Sequence, residues 1–97
     1  MKFEWDENKN NENIDKHGFD FKDAHLMFES MSLLVYEDKR KNYGETRYIG
    51  FGKINNRVLN IVFTKRNEIL RIISLRKANL REVKAYEKQF KNKLGKD

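Results

Sequence analysis

The spacing of apolar residues changes several times along this 97-residue chain, and each change marks an element. Phe3 and Trp5 alternate with Lys2 and Glu4, the two-residue period of a short strand. Asp6 then offers an N-cap, Glu7 suits a first helical turn, and Gly18 supplies a stop after His17. The helix predicted between them has a poor apolar face, with only Ile14 turned inward, so packing around Trp5 has to hold it. Asp20 opens a second predicted helix, with Asp23 as a weak capping box. Ala24, Met27, Phe28 and Met31 recur there at helical spacing and are expected in the core, with His25 facing solvent.

From Ser32 onward the period shortens to two. Leu33 to Tyr36 reads as a strand, and the charged stretch Glu37 to Gly44 as a mobile turn. Thr46 to Ile54 and Arg57 to Thr64 read as paired strands around Asn55-Asn56, because Asn tolerates positive φ. Leu59, Ile61 and Phe63 share one face of the returning strand. After a turn at Arg66-Asn67, Ile69 to Leu75 is almost wholly apolar and is expected to be central and buried on both faces. Asn79 and Glu82 form a capping box for a last helix. Its inner stripe is Leu80, Val83, Tyr86, Phe90 and Leu94, and its outer face carries Arg81, Lys84, Lys88 and Lys91. The order β-α-α-β-β-β-β-α predicts an α+β fold: an antiparallel sheet with two N-terminal helices and a C-terminal helix. Leu94 to Asp97 is expected to fray.

Composition narrows what such a domain can do. One domain over residues 1–97 is the expectation at this length. With no cysteine and two histidines, disulfides, iron–sulfur clusters and thiolate zinc sites are excluded, and no cofactor or metal is expected. No apolar run has the ~18 residues of a membrane span, and the N-terminus lacks a signal-peptide layout. A cytoplasmic location fits this pattern. The net charge of +6 is unevenly placed: residues 1–52 sum to −3 and residues 53–97 to +9. That distribution suits a scaffold with one positive face that attracts a polyanion, most commonly nucleic acid.

Candidate chemistry follows the cations. In a regular strand Ser74 and Arg76 share a face and Arg71 points to the other. Arg76, at the strand exit, can reach a phosphate beside the Ser74 hydroxyl. Arg47 begins an earlier strand and Arg66 sits in a turn, so the set can form a cationic floor for RNA. Lys9, Asn13 and His17 lie one turn apart on the first helix, with Lys16 alongside, and an imidazole can move protons near neutral pH. Trp5 can stack a base, and Lys77 adds a charge next to Arg76. Each has an ordinary structural alternative: rim arginines, a C-capping histidine and a core tryptophan. Gly-rich phosphate loops, nucleophile elbows and zincin motifs are absent from the sequence.

Four segments resemble one family in order and spacing. They are Phe3-Glu4-Trp5-Asp6-Glu7-Asn8-Lys9; Asn13-Ile14-Asp15-Lys16-His17-Gly18 followed by Phe21 and Ala24; Gly44-Glu45-Thr46-Arg47-Tyr48-Ile49-Gly50; and Arg71-Ile72-Ile73-Ser74-Leu75-Arg76-Lys77-Ala78. Together they span about residues 2–88 and resemble the BrnT toxins. Leu75 stands where that family usually has Ala, and the turns at Asn55-Asn56 and Arg66-Asn67 lack its frequent Gly. The resemblance implies a RelE-like fold and a bacterial type II toxin, a ribonuclease that cleaves RNA and halts translation. It further implies a BrnA-like antitoxin with a ribbon-helix-helix DNA-binding part, and repression of operator DNA by the pair. By motif position it points to His17, Arg47, Arg71, Ser74, Arg76 and Lys77 as site residues. Cleavage by a 2′-OH attack without metal is the expected chemistry, Arg76 being the favoured phosphate contact. A non-catalytic nucleic-acid-binding module and a protein-interaction module are the rival readings.

Overall fold

The computed structural model describes residues 1–93. The elements run β1 (Lys2–Glu4), α1 (Glu7–His17), a 3-10 turn (Phe21–Asp23), α2 (His25–Glu29), β2 (Leu34–Asp38), β3 (Arg47–Ile54), β4 (Arg57–Arg66), β5 (Ile69–Lys77) and α3 (Leu80–Lys93). The five strands form one sheet in the order β1-β5-β4-β3-β2. The sheet is mixed rather than antiparallel, because β1 lies parallel to β5, pairing Phe3 with Leu70. The helices take the chain from β1 to β2 at the far edge, where it runs opposite to β1, and three successive hairpins then bring β5 alongside β1 in the same direction. Leu94, expected on the inner stripe of α3, lies outside the described residues, as does the tail expected to fray.

Local signals set the element ends. Asp6 accepts a hydrogen bond from the Lys9 amide, and Gly18 closes α1 at φ 79°. Asn55, Asn56 and Asn67 all take positive φ, so asparagine performs the hairpin role that glycine often fills. Asn79 and Glu82 cap α3 reciprocally, with the Asn79 amide donating to Glu82 Oε1 and the Glu82 amide donating to Asn79 Oδ1. The second predicted helix is instead broken in two: Asp20 accepts from the Lys22 amide and winds a 3-10 turn before the five-residue α2.

One sheet face is sealed. Phe21, Ala24 and Met27 pack there onto Leu59, Ile61, Phe63, Leu70, Ile72 and Leu75, with Phe3, Trp5 and Phe28 at the margin. Gly50 makes the fit possible: a Cβ there would lie 2.9 Å from Ile61 Cγ2. Met31, expected in this core, is 97% exposed, because α2 ends at Glu29, before it. The other face is only partly covered. There α3 packs Tyr86, Val83 and Phe90 against Leu34, Phe51, Val58 and Ala78. Leu80 lies outside that contact and is 70% exposed, contrary to its place in the predicted inner stripe. The central strand is β4, not β5, and β5 alternates buried and half-buried positions. Its second face stays open because α3 reaches only the far end of the sheet.

Helix α1 is held by polar groups. Ile14 is exposed, whereas Asn10 and Asn13 are buried. The Asn13 carboxamide donates to Leu75 O at 2.8 Å and accepts from Leu75 N at 3.2 Å. It therefore stands in for a neighbouring strand where β1 has ended, and closes the edge of β5. Asn10 accepts from the Phe21 amide and donates to Asp20, tying α1 to the 3-10 turn.

Candidate functional site

A bulge in β5 decides which side chains share the open face. Phe63 pairs with Ile72 but Val62 pairs with Ser74, so Ile73 has no partner on β4. The extra residue shifts the alternation by one. Ile72 and Leu75 consequently both face the sealed core, and Arg71, Ser74 and Arg76 all face the open side. This overturns the regular-strand expectation that Arg71 and Arg76 point apart. Across the sheet, Glu4, Arg71, Thr64, Arg47 and Asp38 form one row of register partners on that face. Arg71 and Arg47 are two strands apart, about 10 Å at the backbone, a span that two extended guanidinium groups can close on one phosphate. Two steps along β5 and β4, Arg76 sits beside Asn60.

The arginines differ in how firmly they are held. Arg76 clasps Glu82 with two bonds of 2.9 Å, and Asn60 donates to the same carboxylate. The contact holds the Glu82 carboxyl below its ordinary range and raises Arg76. Arg40 likewise grips Asp38 through Nε at 2.8 Å and Nη2 at 2.9 Å. The Asp38 side chain is 1% exposed and also accepts from Tyr43 Oη, and the Arg40 guanidinium holds its carboxyl well below the usual range. Arg71 to Glu4 is looser at 3.2 Å, and Glu45 is shared by Arg47 and Arg66 at 3.4 Å each. Arg47 also lies over the Tyr43 ring, 4.2 Å from its centroid. An arriving phosphate can displace a loose, singly bonded carboxylate more readily than a bidentate clamp. Among the arginines of the open face, Arg47, Arg66 and Arg71 are therefore held by single contacts that an anion can replace, whereas Arg76 is braced by α3.

Ser74 lies where the open face meets α1. It lines a shallow pocket of about 190 Å³ with Lys9, Glu12, Asn13, Lys16, His17 and Ile73. The fold thus brings Lys9, Lys16 and His17 to Ser74 across about sixty residues of sequence. Other sequence-derived candidates lie elsewhere. Trp5 packs edge-on against Phe21 with centroids 6.3 Å apart and donates to Glu7. Lys77 pairs with Leu59 at the end of β5 and belongs to the opposite face, and Arg66 is an exposed neighbour of Arg47 through Glu45. His25 is partly exposed and bonds Glu29 at 2.9 Å. A larger cavity of about 410 Å³ opens beside Phe19, Leu26, Ile54 and Arg57 on the helical side, with none of the sequence-derived site residues in its lining.

The sequence reading missed Asp38, Arg40 and Tyr43. The segment expected to be mobile is instead cross-linked by their bonds, and it supports Arg47 from below. An Asp-x-Arg pair leaving a strand was the available signal. The reading also missed the carboxylate partners Glu4, Glu45 and Glu82, whose pairing depends on register and helix docking.

These features define a class: a small α+β domain with an arginine-lined sheet face suited to a polyanionic partner. Residues 5–82 match the family described as "Ribonuclease toxin, BrnT, of type II toxin-antitoxin system", and the chain belongs to that family. It is thus a member of a family of type II ribonuclease toxins, for which an antitoxin partner is implied. No curated protein matches the sequence. Among the described residues, no helix is long and apolar enough to cross a membrane.

Proposed function

We propose that the protein is a metal-independent endoribonuclease whose reaction takes place where the open face of β5 meets α1. One observation carries this reading: the Ile73 bulge turns Arg71, Ser74 and Arg76 to one face, beside the pocket that holds His17, Lys16 and Lys9. In this reaction a ribose 2′-oxygen attacks the adjacent phosphorus while the bond to the 5′-oxygen breaks. The products are a cyclic phosphate and a 5′-hydroxyl. His17 takes the 2′-OH proton, Lys16 or Lys9 protonates the leaving oxygen, and Ser74 orients the phosphate. Arg71 and Arg47 offset the charge that builds on the phosphorane, the neutralisation that a metal supplies in other nucleases. Arg76, fixed by Glu82, bounds the site. Lys77, Arg66 and Trp5 are peripheral RNA contacts at most, given where they lie.

The wider reading follows the family. A BrnA-like antitoxin with a ribbon-helix-helix part neutralises the toxin, the pair binds operator DNA, and the fold is RelE-like. The bacterial cytoplasm is the setting in which RNA and antitoxin meet it. The test is direct. Toxin freed of antitoxin is incubated with RNA, with and without EDTA, and the product ends are mapped. Cyclic-phosphate ends formed at equal rates in both support the reading. Cleavage that EDTA abolishes and added metal restores removes metal independence, and no cleavage at all removes the ribonuclease assignment.

A further inference from the structure

The two long edges of the sheet are treated differently. The β5 edge is covered first by β1 and then by the Asn13 carboxamide. Among the described residues, the β2 edge pairs with β3 on one side and with no strand on the other. Bare edges invite strand addition, and proteins usually guard them. Here the guard is weak: Val35 and Tyr36 are adjacent on β2 and 45% and 46% exposed. Glu37 is a register partner of Tyr48 and so belongs to the opposite sheet face from Tyr36.

A mostly apolar groove of about 370 Å³ runs beside that edge, between Tyr36 and Phe51 of the sheet and Arg81, Ala85, Tyr86 and Gln89 of α3. A second hollow lined by Leu34, Val35, Tyr36 and Gln89 continues it to the edge itself. Positive charge lies on both elements that form the groove, with Arg81 in its lining. Arg81 and Lys88 are exposed on α3, and the exposed Lys39 and Lys41 follow the end of β2, on either side of the Arg40 that grips Asp38. Glu82 lines the groove and also holds Arg76, so an occupant lies next to the open face.

We propose that this edge and groove are the docking site for an acidic segment of the antitoxin, which adds a strand to β2 and places apolar side chains between Tyr36, Phe51 and Ala85. The inference rests on the toxin–antitoxin reading and adds to it a surface and a chemistry. Strand addition supplies backbone hydrogen bonds, the groove selects apolar anchors, and the flanking cations select carboxylates beside them. An occupant here covers the Arg76 end of the open face and keeps RNA from it.

The test uses the purified cognate antitoxin and the toxin variants Ala85→Glu and Arg81→Glu. Ala85 and Arg81 are both exposed on α3, away from Ser74, Arg47 and Arg71. Ala85→Glu, which fills the groove with charge, is expected to weaken antitoxin binding at least tenfold while RNA cleavage by free toxin is unchanged. Arg81→Glu is expected to weaken binding less, with the difference disappearing in high salt. Amide exchange across Val35 to Glu37 is expected to slow when the complex forms. Wild-type binding that Ala85→Glu leaves intact overturns the groove assignment alone. Wild-type toxin that binds no antitoxin overturns the assignment and the toxin–antitoxin reading together. Loss of RNA binding with antitoxin binding retained assigns the groove to RNA and likewise overturns the proposal.

Discussion

The two faces of the sheet use one set of strands for opposite ends. The helical face is apolar and closed, with Phe21, Met27, Leu59, Ile61 and Leu75 nearly inaccessible. The other face carries arginines, each paired with a carboxylate, and is capped only at one end by α3. Burial makes the first face the source of stability. On the second face, charges at the water boundary add little to stability, because exposed ion pairs are worth about 0–1 kcal/mol. They can therefore be kept for binding at small cost. A residue's face, more than its chemical type, then sets what its loss should do.

The largest effect expected is on the helical face. Phe63→Ala removes a side chain that stacks with Tyr48 and meets Phe28 edge-on, and should cost about 3–5 kcal/mol in chemical denaturation. A loss under about 1 kcal/mol, the scale of a surface change, would erase the distinction between the faces. On the open face, Arg71→Ala and Arg47→Ala should each lower RNA cleavage about 10²–10³-fold while the denaturation midpoint barely moves. Arg76→Ala should lower cleavage less and stability more, since it also releases Glu82 from its clamp. The reverse ranking would show that the bidentate arginine, not the loosely paired ones, meets the phosphate.

Asn13→Ala tests the join between the faces. It leaves the Leu75 amide and carbonyl at the β5 edge without the partners they have now, at a cost of about 1–3 kcal/mol. Cleavage should fall with it, because the same helix brings His17 and Lys16 to Ser74. The smallest effect is a pH dependence. Asp38, Glu82 and Asp20 all ionise more readily in the folded protein than in the unfolded chain, chiefly through Arg40, Arg76 and the Lys22 amide respectively. The unfolded state therefore binds more protons on acidification. Their stabilisation is complete above the ordinary carboxylate range and declines as pH falls below about 4. Asp38→Asn should flatten that decline in pH-dependent denaturation, and an unchanged slope would assign it to other carboxylates.

Much of the local structure was legible in the residue order. Asp6, Gly18, the Asn turns and the Asn79–Glu82 box act through neighbours a few positions away, so their signals survive without tertiary context. The four motif segments also pointed to the family that residues 5–82 then matched. The errors arose where packing overrides pattern. Ile14 looked like the inward residue of α1 because apolar side chains usually are, yet a bare strand edge needs hydrogen bonds, and Asn13 supplies them. Met31 continued a helical period that the chain abandons after Glu29.

By itself, then, the sequence determined the caps, the turns, the strand-forming segments, the concentration of charge in the second half and the family. Each follows from short-range chemistry or from composition. Only the tertiary structure decided that β1 runs parallel to β5, that one extra residue at Ile73 unites Arg71 with Ser74 and Arg76, and that α1 meets Ser74. It also decided which arginines are clamped by two bonds and which are held by one. The reason is physical. Strand register and helix docking are set by burying one apolar face, and a shift of one residue exchanges the faces of every side chain beyond it.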